Sequence, residues 1–236
     1  MRTVSPKRRV AIITAILAAV GVGVSIGIIA VGGGFSGPGG PDIFNPPSDA
    51  DIWEVGSNIR DGTALEYYLS AVSEASSLES AQVSMVFEEA GDNWKVMFTV
   101  ANGTAPTVEN TLTMSKKLTR EGQLDSEFRP YFEPIQLSIF AVRDMEYGTS
   151  PKYLVINAPW DQIFYRSSQV IVRVSGEEMM QTPAGSFDAF VLSYKLKENT
   201  SKIWLVRDLP LPVKAEVYDS EDELLYRYEL VRVAGV

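Results

Sequence analysis

Residues 83–100 alternate with a period of two. Val83, Met85 and Phe87 share one parity and Ser84, Val86 and Glu88 the other; beyond Ala90-Gly91-Asp92-Asn93, Trp94, Val96, Phe98 and Val100 alternate with Lys95, Met97 and Thr99. A two-residue repeat is that of a strand, and a Gly-containing turn between two such runs predicts a hairpin. The same repeat predicts strands over 63–72, with Leu65, Tyr67 and Leu69 on one face and a short helix as the alternative, and over 107–115, 153–157 and 170–175. It continues over 189–196 (Phe190, Leu192, Tyr194, Leu196), 202–207, 212–218 and 224–233 (Leu224, Tyr226, Tyr228, Leu230). Only one stretch has a helical repeat: Ile135, Ile139, Val142 and Met145 follow Pro134, which predicts one helix over 134–145 with Pro at its first position. The expected fold is mainly β (α+β), a curved antiparallel sheet or half-barrel packed on that helix.

This pattern begins only after residue 50. Residues 10–31 carry no charge and hold only Thr14 and Ser25 as hydroxyl residues. As a helix they extend about 33 Å, enough to cross a bilayer core. Arg2, Lys7, Arg8 and Arg9 precede the run, and no further Lys or Arg occurs until Arg60, which predicts a cytoplasmic N-terminus. The competing reading is a cleaved signal peptide, with Ala30-Val31-Gly32 as the cleavage site. Ala11, Ala15, Ala19, Gly23 and Gly27 recur every four residues and mark Ala15, Ala19, Gly23 and Gly27 as candidates for helix–helix contact, with a homodimer or a partner helix as the consequence. The Gly/Pro-rich residues 32–50 read as a stalk. The expected organisation is a basic cytoplasmic tail (1–9), a single transmembrane helix (10–31), the stalk (32–50) and an extracytoplasmic β-rich domain (51–236).

Composition narrows the chemistry. The chain has no Cys and no His, so disulfides, thiolate nucleophiles, His/Cys zinc sites and Ser-His-Asp triads are excluded, as is a lipoprotein anchor on cysteine. Beyond the basic tail, 17 basic residues face 30 acidic ones, a net charge of −13. Such a domain repels phosphate backbones, and nucleic-acid binding is not expected.

Thr182-Pro-Ala-Gly-Ser-Phe187, then a strand, then Ile203-Trp-Leu-Val206, then Leu211-Pro-Val-Lys-Ala-Glu216 resembles the C-terminal half of extracytoplasmic half-barrels of the LolA/LolB group. In that pattern a Pro-Ala-Gly turn makes a hairpin and a Trp strand pairs with a Pro-x-Lys strand. The resemblance covers about 50 residues and implies a half-barrel that carries a hydrophobic ligand; this chain departs from it in having a membrane helix. The overall arrangement is also similar to uncharacterised membrane-anchored proteins of ammonia-oxidising archaea.

Candidate sites are few. Asn102-Gly-Thr104 and Asn199-Thr-Ser201 fit the glycosylation sequon. Asp219-Ser-Glu-Asp-Glu223 is rich in calcium-type ligands, but lacks the glycine and spacing of an EF-hand and reads as a solvated hairpin turn. Glu88-Glu89 and Glu177-Glu178 are neighbours in strands, so each pair points to opposite faces and does not flank one bond. No catalytic residue, metal site or cofactor is expected. Trp94, Phe98, Phe190, Tyr194, Trp204, Tyr226 and Tyr228, together with Trp53 and Trp160, are the candidates for lining an apolar cavity; plain core is the alternative. The functional expectation is a non-enzymatic, membrane-anchored, extracytoplasmic binding or envelope-interaction domain, with a carrier of a lipid or other hydrophobic ligand as the alternative.

Overall fold

The computed structural model describes residues 45–72, 77–145, 152–165 and 168–236. The apolar run at 10–31, its small-residue stripe (Ala15, Ala19, Gly23, Gly27) and the stalk up to residue 44 lie outside the described residues. Among those described, no helix is long and apolar enough to cross a membrane.

Eleven strands form one curved antiparallel sheet. They are β1 (Ala64–Val72), β2 (Ser77–Ala90), β3 (Asn93–Asn102), β4 (Val108–Ser115), β5 (Arg120–Glu121), β6 (Pro159–Tyr165), β7 (Ser168–Thr182), β8 (Gly185–Lys195), β9 (Thr200–Leu205), β10 (Lys214–Tyr218) and β11 (Leu224–Ala234). The order across the sheet is β5-β4-β3-β2-β1-β11-β10-β9-β8-β7-β6. The architecture is therefore two meanders, joined where the first strand pairs with the last. Two-residue turns set the long hairpins: Gly91-Asp92 closes β2–β3 with Ala90 opposite Asn93, and Pro183-Ala184 closes β7–β8 with Thr182 opposite Gly185. Gly91 has φ +63°, a left-handed conformation that glycine adopts at little cost.

Two short helices, α1 (Arg129–Gln136) and α2 (Ala141–Asp144), connect the meanders. Phe98 of β3 lies 5.4 Å from Phe132, 6.1 Å from Phe128 and 6.3 Å from Phe140, ring centre to ring centre, so the helices seat their aromatics on the core face. The sequence predicts one helix starting at Pro134; instead Pro130 lies in the first turn of α1 and Pro134 lies inside it. The helix stops because the Ser138 hydroxyl donates to the Pro134 carbonyl at 2.6 Å and the Phe140 N–H reaches back to Ile135 O. Ile135, Ile139, Val142 and Met145 are nonetheless all buried, since both helices face the same core.

Other departures are local. The strand expected at 153–157 is a single bridge, Tyr153 with Ile52, followed by Asn157 at φ +73°; the strand itself begins at Pro159. Leu224 does not join the apolar face of β11 and is exposed. The far end of the β7–β8 hairpin curls over, and the Ala184 N–H donates to Leu230 O at 3.3 Å.

Residues 51–63 form a strap across the end of the sheet where β1 begins. Trp53 N–H donates to Lys152 O and its indole to Leu209 O at 3.0 Å; Gly56 N–H donates to Pro210 O at 2.9 Å. Gly56 has φ +78°, and a Cβ there would meet Lys116 O at 2.4 Å, so the strap passes this turn only as glycine. Trp53 and Val55 are buried, and Trp53 lies 5.9 Å from Trp160.

Trp53→Ala should therefore destabilise the domain by about 3–5 kcal/mol, the usual cost of emptying a buried tryptophan site, read as a lower denaturant midpoint. Ending the chain at Asp219 removes β11 and should abolish cooperative melting by circular dichroism. A truncation that melts like the intact domain would contradict a sheet joined through its last strand.

Candidate functional site

Register places each aromatic candidate. Cross-strand partners run Val174, Leu192, Ile203, Ala215, Tyr228, Leu69 and Ala81, which makes one row of the core face. The adjacent row runs Val191, Trp204, Lys214, Glu229, Tyr68 and Gln82 and belongs to the outer face. Trp94, Phe98, Phe190, Tyr194, Tyr226 and Tyr228 are thus on the core side, and Trp204 is on the other. The run Ile203-Trp204-Leu205 is apolar throughout, so its pattern carries no parity signal.

The core-side aromatics pack against each other and the helices. Tyr67 meets Tyr228 edge-on at 5.7 Å, Tyr226 stacks on Tyr228 at 6.1 Å, and Phe87 meets Trp94 edge-on at 6.3 Å. The Tyr67 hydroxyl donates to Pro212 O at 3.1 Å, which ties β1 to the segment before β10. Trp94, Phe98, Phe190, Tyr226 and Tyr228 are buried, and Tyr194 is half-buried.

Trp204 is buried on the outer face by its neighbours. Its indole N–H donates to a Glu178 carboxylate oxygen at 2.5 Å, and Lys214 and Lys202 hold their ammonium groups 5.3 and 5.8 Å from the ring centre. Met180, Ala189 and Val191 share this face by register and are buried, so the curled hairpin adds a small second core. Beside it an outer-face depression of about 560 Å³ is lined by Tyr68, Ser70, Ser80, Lys214, Glu216 and Arg227, among others. Its charges are mixed, and Lys214 and Glu216 lie 3.5 Å apart. A second depression, of about 610 Å³, lies along the polar side of α1 between Arg120 and Gln136.

The carboxylate candidates do not converge. Glu88 pairs with Lys95 at 2.7 Å and Glu89 with Lys116 at 3.6 Å, both exposed. In the acidic turn, Asp219 Oδ1 accepts the N–H groups of Glu221 and Glu223, and Asp222 Oδ1 those of Glu198 and Asn199. The Asn199 backbone N–H, with help from Glu198 and nearby lysines, holds the Asp222 carboxyl below the usual carboxylate range. Among the described residues no three acidic side chains are grouped to hold a metal ion. Of the sequons, Asn102 ends β3 and Asn199 sits in the β8–β9 turn.

Sequence reasoning missed two buried cations. Lys152 donates to Met145 O at 2.5 Å and to Trp160 O, and Arg143 donates to Leu118 O at 3.0 Å while pairing with Asp144. Both satisfy carbonyls of irregular backbone near the helices, a role that no sequence spacing signals. Next to Lys152, burial raises the Asp161 carboxyl above its ordinary range, opposed by the Gln162 N–H and by Lys152 itself.

No family model matches the sequence, and no curated protein matches it. Three solved structures bear a weak likeness. A protein classed as exported, with a YmcC-like fold, from Bacteroides fragilis is 12% identical over 78% of this chain and 99% of its own, with a TM-score of 0.35. A protein classed as a lipoprotein from Parabacteroides distasonis is 15% identical over 79% of this chain and 100% of its own, at 0.39. MucB is 13% identical over 77% of this chain and 55% of its own, at 0.40.

The buried tyrosines give the domain an alkaline limit. Burial raises the phenols of Tyr67, Tyr226 and Tyr228 and pushes Tyr194 up to about 12, against a hydrogen bond with Ser201 that lowers it. Unfolded tyrosines ionise near pH ~10. Phenolate therefore favours the unfolded chain: this stability is whole below pH ~10 and declines as pH rises through about 12. The denaturant midpoint should fall across that window, and Tyr194→Phe should remove part of the fall. A flat midpoint to pH 12 would contradict the burial of these phenols.

Proposed function

We propose that this chain is an extracytoplasmic, membrane-anchored binding or envelope-interaction domain, and that it is not an enzyme. The observation that carries the choice between interaction module and hydrophobic carrier is the occupation of the core face. Phe128, Phe132 and Phe140 fill the space in front of Phe98 at ring distances of 5.4 to 6.3 Å. A lipid chain entering there would displace the helices' own aromatics and forfeit their burial, worth about 1.5–3 kcal/mol for each side chain. The two depressions described above lie elsewhere, on the outer face and along α1. An interaction module needs only an anchor, a spacer and an exposed surface, and the sequence supplies a candidate for each. The absence of Cys and His and the dispersal of the exposed carboxylates support a non-enzymatic role.

Protease added to spheroplasts should digest the domain and spare Arg2, Lys7, Arg8 and Arg9. Native mass spectrometry of the domain released from those membranes should give the mass of the polypeptide without a bound lipid. Protection of the domain would overturn the extracytoplasmic address; a stoichiometric lipid adduct would move the reading to the carrier.

A further inference from the structure

The two sequons are equivalent as motifs, but the fold treats them oppositely. An N-glycan is transferred when the asparagine amide is free to act as nucleophile and the hydroxyl two residues on is open to the transferase. At the Asn199 sequon both requirements fail. The Asn199 side-chain N–H donates to Asp222 O at 3.2 Å, and its backbone N–H donates to Asp222 Oδ1 at 2.8 Å. Its hydroxyl partner, Ser201, belongs to β9 and is 1% exposed. The Ser201 oxygen accepts the Tyr218 N–H at 3.0 Å, within the β9–β10 pairing. Reading this sequon requires the β8–β9 turn to leave the acidic turn and the start of β9 to detach from the sheet.

The Asn102 sequon is built the other way. Asn102 is the last residue of β3, half-buried, and its amide makes no hydrogen bond to another described residue. The chain then leaves the sheet through Gly103 at φ +58°, with the Ala105 N–H closing a turn onto Asn102 O at 3.1 Å. Residues 103–107, with the Thr104 hydroxyl group among them, are all exposed. The loop is also remote from where the chain enters the domain. The strap lies where β1 starts and β2 ends, whereas Asn102 sits opposite Ala81 and level with Leu69, toward the other end of the strands and about 20 Å away along them.

We infer that Asn102, and not Asn199, is an N-glycan acceptor of the folded domain, carrying its sugar on the end of the sheet opposite the strap. The donor is a polyprenyl phosphate- or diphosphate-linked oligosaccharide. The Asn102 Nδ2–C1 bond forms as the sugar C1–O(phosphate) bond breaks, the polyprenyl phosphate (or, from the diphosphate donor, the polyprenyl diphosphate) leaves with the bonding pair, and the amide proton passes to a base of the transferase. In the cell this rests on the extracytoplasmic reading, since such transfer takes place on that side of the membrane. The acceptor geometry itself does not depend on topology.

The test uses the full chain, folded and in detergent, with an archaeal oligosaccharyltransferase that requires only Asn-x-Ser/Thr and its lipid-linked donor. Synthetic peptides spanning each sequon serve as unfolded acceptors. The expected result is transfer to both peptides but a single glycan on the folded chain, mapped to Asn102. Occupancy there should exceed that at Asn199 by about tenfold or more, the factor that roughly 1.4 kcal/mol of local opening produces. Asn102→Gln and Thr104→Ala should each abolish modification of the folded chain, and Asn199→Gln should leave it unchanged. A folded chain that stays bare while both peptides react would overturn the inference, as would occupancy of Asn199 equal to that of Asn102 or a failure of the Asn102 peptide to react. A failed topology assay with successful transfer in detergent would sink the extracytoplasmic reading alone.

Discussion

The pairing of β1 with β11 holds the molecule together as one sheet. Each meander pairs its own strands locally, but their meeting depends on eight cross-strand positions from Ala64–Ala234 to Ala71–Tyr226. The seam is reinforced on the core side, where Leu65, Tyr67 and Leu69 from β1 and Tyr228 and Leu230 from β11 are all buried. The Tyr67 hydroxyl bond to Pro212 adds a tie that bypasses β11 and reaches the segment ahead of β10. With its joint at the centre, the sheet leaves β5 and β6 at the margins. β5 is two residues long, and β6 begins with Pro159 and carries Asp161, features that discourage further strand addition.

Curvature brings the helices and irregular connections to the open side, where backbone carbonyls lack strand partners. Two buried cations answer that need. Arg143 caps Leu118, a residue held at φ +58°, and Lys152 gathers the carbonyls of Met145 and Trp160. The strap completes the end by binding two separate stretches, at 152 and at 209–210, through backbone bonds and the Trp53 indole. The core face is thereby occupied by the protein itself, and the proposed interaction role falls to the outer face and the turns.

Most strands were legible because alternation and turn chemistry agree, as in Val83-Met85-Phe87 and the Gly91 and Pro183 turns. What escaped has a common cause. β6 (PWDQIFY) has no clean alternation, and 153–157 resembles a strand but meets Asn157 in a left-handed turn. The helix spacing at 135–145 was visible, but its break at Ser138 depends on a hydroxyl-to-carbonyl bond that periodicity does not register. Trp204 reads as one of the core aromatics because its neighbours are apolar on both sides, and only pairing with Lys214 reveals its face. Trp53 is buried through a partner 156 residues away, a distance over which local pattern is silent.

The seam has a consequence in time. About 150 residues separate the end of β1 from the start of β11, and at the ~5–20 residues per second of synthesis this interval lasts roughly ten to thirty seconds. Throughout it the N-terminal meander exists with one long apolar margin bare, a state prone to adding the wrong strand. The pairing that ends this exposure is among the most non-local in the molecule and belongs to the slow class of folding events. The N-terminal meander thus waits on one distant strand, and the arrival of β11 converts two unfinished sheets into one.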